Sequence, residues 1–246
     1  MSTLAAEWVK LRSVRSTWWF AAGALATMIL VAASNADSDH GGLVAKHAPP
    51  ASVDAASEAI VAAGWLLVIV GALGMLVATS EYATRSIMVT LACTPSRSRL
   101  MLAKTAVVLL TVFAAGTVIA AIGVASSAPL LREFADVDAA QLFGRIVAIG
   151  AQLALTAVLS LGLGVLIRRT AGALTVLFVL LFIVPELFGV LADVFHVEVF
   201  NTLGGYLPNV AGDRFMHGEP LWGLVGAGWA AASVVGAIWV LRRRDA

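Results

Sequence analysis

Residues 59–80 read AIVAAGWLLVIVGALGMLVATS, a run of 22 residues without Asp, Glu, Lys or Arg. A helix needs about 20 mostly apolar residues to cross the ~30 Å hydrocarbon core of a bilayer, because each residue adds about 1.5 Å. This stretch therefore predicts a transmembrane helix.

Five further windows of this kind occur along the chain, and among the six only the fifth carries a charge, Glu186. The expected spans are residues 16–36, 59–80, 105–128, 146–167, 170–192 and 220–241. The 246-residue chain is 60% hydrophobic and 13% charged, with a mean hydropathy of +0.93. These values predict one all-α membrane domain over residues 1–246 and exclude a soluble enzyme and a disordered chain. The single cysteine, Cys93, excludes a disulfide scaffold.

The distribution of basic residues predicts the orientation in the membrane. If the N-terminus is cytoplasmic, 12 of the 16 Lys and Arg residues lie on the cytoplasmic side and 4 lie outside. The positive-inside rule favours this arrangement because all loops are short. We therefore expect a multi-pass protein of the cell (plasma) membrane with both termini in the cytoplasm. The apolar run at residues 18–31 also fits a cleavable signal peptide, but its length favours a retained span.

The N-terminal segment is expected to form a short helix on the cytoplasmic membrane surface. Leu4, Trp8 and Leu11 share one side of a helical repeat, whereas Lys10 and Ser13 face away from it. An anchoring flank that acts only through its positive charges is the alternative interpretation.

The segment between spans 2 and 3 predicts a compact cytoplasmic elbow of two short helices. Pro95 ends the first of them, and Arg97, Arg99 and Lys104 follow in the second. Glu81 and Arg85 are four residues apart and can form an ion pair. Such an elbow offers a rigid projection that a soluble partner could push. A solvated turn with ordinary cytoplasmic positive charges is equally compatible with the sequence.

The two long outer loops are expected to differ from each other. Residues 37–57 contain Gly41, Gly42, Pro49 and Pro50, a linker-like composition that predicts little regular structure. Residues 193–219 contain an apolar stretch interrupted by Gly and Pro, which predicts a re-entrant or interfacial segment. A compact external loop is the alternative. The residues expected in the re-entrant segment are Tyr206, Leu207, Pro208 and Asn209.

Glu186 is the one ionisable residue well inside a predicted span, and a charge there is costly enough to suggest a function. It follows Pro185, which is expected to break the helix near the outer interface, where water lowers that cost. A kink that opens to the exterior is the favoured interpretation, and proton coupling is the alternative.

No catalytic constellation is visible in the sequence, and the chain is not expected to be an enzyme. A phosphate-binding P-loop requires Gly-Lys, whereas each of the three lysines follows Val or Ala. His40 and His47 with the nearby Asp37 and Asp39 match no standard metal-ligand spacing, so no metal site is expected. Any ATP-driven work must therefore come from another subunit.

Several short motifs follow one another along the chain. They are Glu7-Trp8-Val9-Lys10-Leu11-Arg12-Ser13, Arg15-Ser16-Thr17-Trp18-Trp19, the segment from Glu81-Tyr82 to Thr90-Leu91, Pro95 to Arg99, Ala103-Lys104, and Tyr206-Leu207-Pro208-Asn209 with Ala211-Gly212. Together with the length and the number of spans, they resemble ABC-2 type transporter permeases, the membrane-spanning subunits of bacterial ABC exporters.

That resemblance implies a permease that encloses the substrate path with a second copy, identical or a paralogue, and is driven by a separate ATP-binding subunit. ATP and Mg²⁺ would bind to that partner, and this chain would bind no cofactor. Many family members have Gly-Thr where this chain has Arg85-Ser86. Similar permeases export drugs, peptide antibiotics, lipids or polysaccharides. The implied coupling residues are Glu81, Tyr82, Arg85, Ser86, Pro95, Arg97 and Arg99, and the implied connecting helix carries Glu7, Trp8, Lys10, Leu11 and Arg12.

Two other functions are compatible with the sequence. An ion-coupled secondary transporter or channel would use Glu186, although the sequence offers it no intramembrane partner and shows no inverted repeat. A non-transporting membrane anchor or immunity protein would bind a partner through the elbow without ATP-dependent flux. All of these functions place the chain in a lipid bilayer, and no nucleic-acid partner is expected.

Overall fold

A computed structural model describes residues 3–83 and 96–243, which are largely helical. A 3₁₀ turn, Arg132–Phe134, follows the fourth helix, and a π-helical turn, Val179–Ile183, joins the sixth helix to the seventh. The helices are α1 (Thr3–Ser13), α2 (Arg15–Ala45), α3 (Ser57–Ala83), α4 (Arg97–Leu131), α5 (Ala139–Ile167), α6 (Thr170–Phe178), α7 (Val184–Phe195), α8 (Glu198–Gly205), α9 (Pro208–Met216) and α10 (Trp222–Arg243).

Six helical segments in this part of the chain are long and apolar enough to cross a membrane, which confirms the prediction of an all-helical chain with six candidate spans. The first five contain the whole of the predicted windows, and the sixth begins two residues later than predicted. The segments are Arg15–Ala45, Ser57–Tyr82, Arg97–Phe134, Ala139–Ile167, Thr170–Phe195 and Trp222–Arg243.

The first candidate span is longer than predicted and includes part of the expected outer loop. Residues 37–45, expected to lack regular structure, continue α2 as far as Ala45. Ala32 and Ala36, at the end of the charge-free window, are fully buried, whereas Asp37 and Asp39 are exposed. Beyond the window the helix is only partly buried, at His40 and Leu43, and the His40 ring lies 5.5 Å from the ring of Phe134. With 31 residues, α2 is about 46 Å long and exceeds the ~30 Å hydrocarbon core.

Helix α5 forms the centre of the bundle. Its most apolar window is 72% buried, compared with 11% for Thr170–Phe195. Two glycines bring its neighbours close. A Cβ on Gly74 of α3 would lie 2.2 Å from the Ala157 carbonyl oxygen, and a Cβ on Gly162 of α5 would lie 2.5 Å from Ser233 Oγ of α10. Small residues of this kind allow the direct backbone contacts that drive helix packing in membranes.

The contacts define two ends of the bundle. At the end that we call the α1 end, Lys104 near the start of α4 donates a hydrogen bond to Glu7 of α1. Arg97 at the start of α4 donates a hydrogen bond to the carbonyl of Leu241 in the last turn of α10. The α1 helix and the end of α10 therefore lie together. At the opposite end, β1 (Val53–Asp54) pairs in parallel with β2 (Ala135–Asp136).

The prediction that Pro185 breaks the fifth span is wrong. Helix α6, the π-helical turn and α7 follow one another without a non-helical residue. In a regular α-helix the carbonyl of Leu181 would accept a hydrogen bond from the N–H of residue 185, which proline lacks. Asn209 Nδ2 in α9 donates to this oxygen at 2.9 Å instead. The span accommodates its proline through a wider turn and a side-chain donor.

Two more side chains bind the turn between α8 and α9. Gln152 Nε2 of α5 donates to the Pro208 carbonyl at 3.2 Å, and Trp229 Nε1 of α10 donates to the Tyr206 carbonyl at 2.8 Å. The close approach depends on Gly212, where a Cβ would lie 2.0 Å from Gln152 Nε2. The α8–α9 hairpin is thus bound to the fourth, fifth and sixth spans.

Replacing Asn209 by Ala removes the donor to the Leu181 carbonyl. Because an unpaired carbonyl in an apolar surrounding is unfavourable, we expect the free energy of unfolding to fall by about 1–3 kcal/mol. Thermal unfolding in mild detergent measures this as a lower midpoint. Asn201→Ala, at an exposed position of α8, is the matched control and should leave the midpoint unchanged. Equal midpoints for the two variants would contradict the proposed role of Asn209.

Candidate functional site

Four charged side chains from three helices meet at the α1 end and form what we call the ionic cluster: Glu7 and Lys10 of α1, Glu81 of α3 and Lys104 of α4. Lys104 Nζ lies 2.7 Å from Glu7 Oε2 and 3.0 Å from Glu81 Oε1. Lys10 Nζ lies 3.1 Å from Glu7 Oε1 and 3.1 Å from Glu81 Oε1. Each ammonium group therefore contacts both carboxylates.

The ionic cluster is largely removed from solvent. Glu7, Glu81 and Lys104 are only 4%, 8% and 5% exposed, whereas Lys10 is exposed. Burying an uncompensated charge costs several kcal/mol, so the positions of these side chains are strongly constrained by their partners. Two carboxylates and two ammonium groups balance one another within the cluster.

The cluster shifts the pKa values of the two ionisable groups on α1. Burial by itself would raise the pKa of Glu7, but the ammonium groups of Lys104 and Lys10 outweigh it and lower that pKa from its ordinary value of 4.5. Burial by itself would lower the pKa of Lys10, but its contacts with Glu7 and Glu81 outweigh it and raise that pKa. Both groups stay charged at neutral pH. The stability that ionised Glu7 contributes is present above pH 4.5 and is lost as the pH falls through its lower folded-state pKa.

The end of α3 contacts the start of the fifth span as well as the ionic cluster. Thr170 Oγ1 donates a hydrogen bond to Thr79 Oγ1 at 2.9 Å. The guanidinium of Arg168 lies over the ring of Tyr82, 5.2 Å from its centroid, in a cation–π arrangement. The end of α3 is therefore in direct contact with the link between the fourth and fifth candidate spans.

The start of α4 is bound to the end of the sixth span. Arg97 donates to the carbonyl of Leu241, and Arg242 Nη2 donates to Ser98 Oγ at 2.8 Å. Arginine side chains in the last turn of a helix can bond to its carbonyl groups, and Arg97 supplies such a donor from another helix. Both helix ends that flank residues 84–95 are thus connected to other spans.

The predicted coupling residues fall into two sets. Arg85, Ser86 and Pro95 lie outside the described residues, and so does the expected pairing of Glu81 with Arg85. Among the others, Arg99 is exposed in the first turn of α4. Those that make the contacts described above are Glu81, Tyr82 and Arg97.

A helix is present where the N-terminal helix was predicted. Within the bundle Leu11 is buried, whereas Leu4 and Trp8 are 50% and 47% exposed. The buried charged residue of this helix is Glu7, because Lys104 of α4 receives it. Lys104 was not among the site residues predicted from the sequence. The available signal was its position immediately before the charge-free window that starts at residue 105.

The other predicted site residues lie away from the ionic cluster. Glu186 is exposed on α7, and within residues 3–83 and 96–243 its side chain makes no hydrogen bond or ion pair. Pro185 and Asn209 are brought together through the Leu181 carbonyl. Leu207 and Pro208 are buried, and the Tyr206 ring packs against Trp222 with centroids 5.3 Å apart.

The described residues contain no group of three or more His, Cys, Asp or Glu side chains arranged to hold a metal ion. No protein-family model matches the chain, and a search of curated proteins found no match.

Lys104→Met removes the buried ammonium group and keeps an unbranched side chain. It leaves Glu7 and Glu81 with Lys10 as their shared cation in the cluster, so we expect the free energy of unfolding to fall by about 3–5 kcal/mol. Denaturant unfolding in detergent measures the loss. Lys46→Met, at an exposed position, is the control and should change little. A Lys104→Met variant as stable as this control would show that the cluster does not hold α1 in place.

Proposed function

We propose that this chain is the transmembrane permease subunit of an ABC-2 type transporter. It forms the substrate pathway as a dimer, is driven by a separate ATP-binding subunit, and exports a drug, a peptide antibiotic or a lipid-like substrate. The observation that carries the proposal is the ionic cluster, which joins α1 to both of the helix ends that flank residues 84–95. The α1 helix and the segment around residues 84–95 are the two parts of the chain that the sequence motifs associate with coupling.

The proposed mechanism begins with closure of two ATP-binding subunits, which pushes the segment around residues 84–95. The ends of α3 and α4 then move. The α1 helix moves with them, because separation of Glu7 from Lys104 would break the shortest contact of the buried cluster. The contacts of Thr79 with Thr170 and of Arg97 with Leu241 pass the displacement to the fifth and sixth spans. The six-span halves thereby change between two packings that ATP binding favours unequally.

The α1 end is proposed to be cytoplasmic, in the plasma membrane. The contacts of α1 and of the end of α10 with the start of α4 support a location of both on one side of a bilayer. The basic residues Lys10, Arg97, Lys104 and Arg242 lie at this end, in accordance with the positive-inside rule.

The α8–α9 hairpin is proposed to be re-entrant from the outer side. Asn209 meets Leu181, which lies 11 residues after Thr170 and so about 17 Å along the fifth span. This position is near the middle of a ~30 Å hydrocarbon core. Backbone at that depth requires hydrogen-bond partners, and Gln152 and Trp229 supply them to the hairpin turn.

The proposal is tested by recovering the tagged chain from its native membrane in mild detergent. We expect a stoichiometric P-loop protein in the recovered complex, together with ATP hydrolysis. A stable oligomer without ATPase activity, even after crosslinking, would contradict the proposal and favour ion-coupled transport through Glu186. A captured partner without ATP-dependent flux after reconstitution would instead identify an anchor or immunity protein.

Arg99→Glu tests, in the same experiment, whether the ATP-binding subunit docks at the α1 end. Because Arg99 is exposed in the first turn of α4, its reversal should weaken capture of the ATP-binding subunit about tenfold with little effect on stability. Arg132→Glu makes the same change at an exposed position at the other end of this span and should leave capture unchanged. Equal capture by both variants would contradict docking at the α1 end.

A further inference from the structure

An apolar crevice of about 410 Å³ lies between α2, α3 and α4. Its walls include Ala21 and Ala24 of α2, Leu66 and Val70 of α3 and Ile119 of α4, and Leu153 of α5 also lines it. Along α4 it extends from Thr111 to Ile119, which corresponds to about 12 Å. The crevice is therefore an elongated apolar slot that runs from the α1 end toward the middle of the bundle.

Polar and aromatic groups surround the mouth of this crevice. Trp8, Arg12 and Trp18 line it there, and Trp18 Nε1 donates a hydrogen bond to the Arg12 carbonyl at 3.2 Å. This bond fixes the end of α1 against the start of α2. Trp8 and Trp18 are 47% and 63% exposed. The Arg12 side chain is also exposed, and it makes no hydrogen bond or ion pair with any residue that the structure describes.

We propose that this crevice binds one acyl chain of a bilayer phospholipid, with the lipid phosphate held by the Arg12 guanidinium. The volume lies within the ~300–1,000 Å³ of typical ligand pockets, and the walls are almost entirely apolar apart from Thr17 and Thr111. The first span, which forms one wall, has only 17% of its apolar window buried within the chain, so an apolar molecule can reach the crevice along it. Exposed Trp and Arg residues at a span end are suited to lipid headgroups.

Arg12 is assigned as the phosphate-binding residue because the other basic side chains near the crevice are already paired. A second cavity of about 500 Å³ adjoins the crevice at Leu11, Thr17 and Leu73 and contains the ionic cluster. The ammonium groups of Lys10 and Lys104 are already bound to carboxylates. Arg12 presents a planar guanidinium that can bind two phosphate oxygens at once. A lipid in this position contacts all four of the helices α1, α2, α3 and α4. This binding proposal does not depend on the proposed transport activity.

Photo-crosslinking tests the occupant directly. The full chain is reconstituted in vesicles of phosphatidylethanolamine and phosphatidylglycerol that contain a phosphatidylglycerol with a diazirine on its acyl chain. After irradiation, labelled positions are mapped by mass spectrometry. We expect the label to concentrate on residues 17–24, 66–73 and 111–119. Equal labelling of all exposed span surfaces would overturn the proposal, since it would indicate ordinary surrounding lipid.

A matched pair of variants separates the crevice from the general lipid surface. Ala115 lines the crevice, whereas the adjacent Ala114 is exposed on α4 without lining it. Ala115→Phe should lower crevice labelling about tenfold, and Ala114→Phe should leave it unchanged. Equal labelling of the two variants would contradict acyl-chain binding.

A second pair tests the headgroup and does not depend on the folding of Ala115→Phe. Arg12→Gln should lower the phospholipid phosphate that remains bound through purification in mild detergent. Arg15→Gln, at an exposed position outside the crevice lining, should not. Retention of the same amount of phosphate by both variants would contradict the role of Arg12.

Discussion

The arrangement of helices at the α1 end depends on the ion pairs of the buried Lys104 ammonium group. Lys104 contacts carboxylates from two other helices, Glu7 of α1 and Glu81 of α3, and it is only 5% exposed. Because none of these three charges can be left unpaired without a cost of several kcal/mol, the three helix segments are held in one mutual arrangement. The contacts of Arg97 and Thr79 with the sixth and fifth spans extend that arrangement to the rest of the bundle.

A second constraint acts deeper in the bundle, where backbone groups need partners because lipid offers none. Pro185 removes a donor from the fifth span, and Asn209 of the α8–α9 hairpin replaces it. Gln152 and Trp229 in turn donate to carbonyls of the hairpin. The irregular part of the chain is therefore bound to three spans through side chains. In the proposed transport cycle, helix movements would act on the ionic cluster at the α1 end and on this hairpin near the middle of the bundle.

The six candidate spans could be predicted because hydrophobicity over about 20 residues is a local property of the sequence. The extension of α2 to Ala45 was missed, because Gly41 and Gly42 suggest a loop, whereas the helix continues past them and its His40 ring contacts Phe134. The site contacts are not local. Glu7 and Lys104 are separated by 97 residues, so no helical period relates them. The coupling role of α1 and of the segment around residues 84–95 remains a prediction from the sequence motifs.

Glu7 and Lys104 are inferred to act as one unit that binds α1 to the bundle, and a double-mutant cycle measures the coupling between them. The free energies of unfolding in mild detergent are compared for the wild type, Glu7→Gln, Lys104→Met and the double variant. A coupling energy of at least about 1.5 kcal/mol is expected, because loss of either partner already removes the interaction. Additive effects, within roughly 0.5 kcal/mol, would contradict the account.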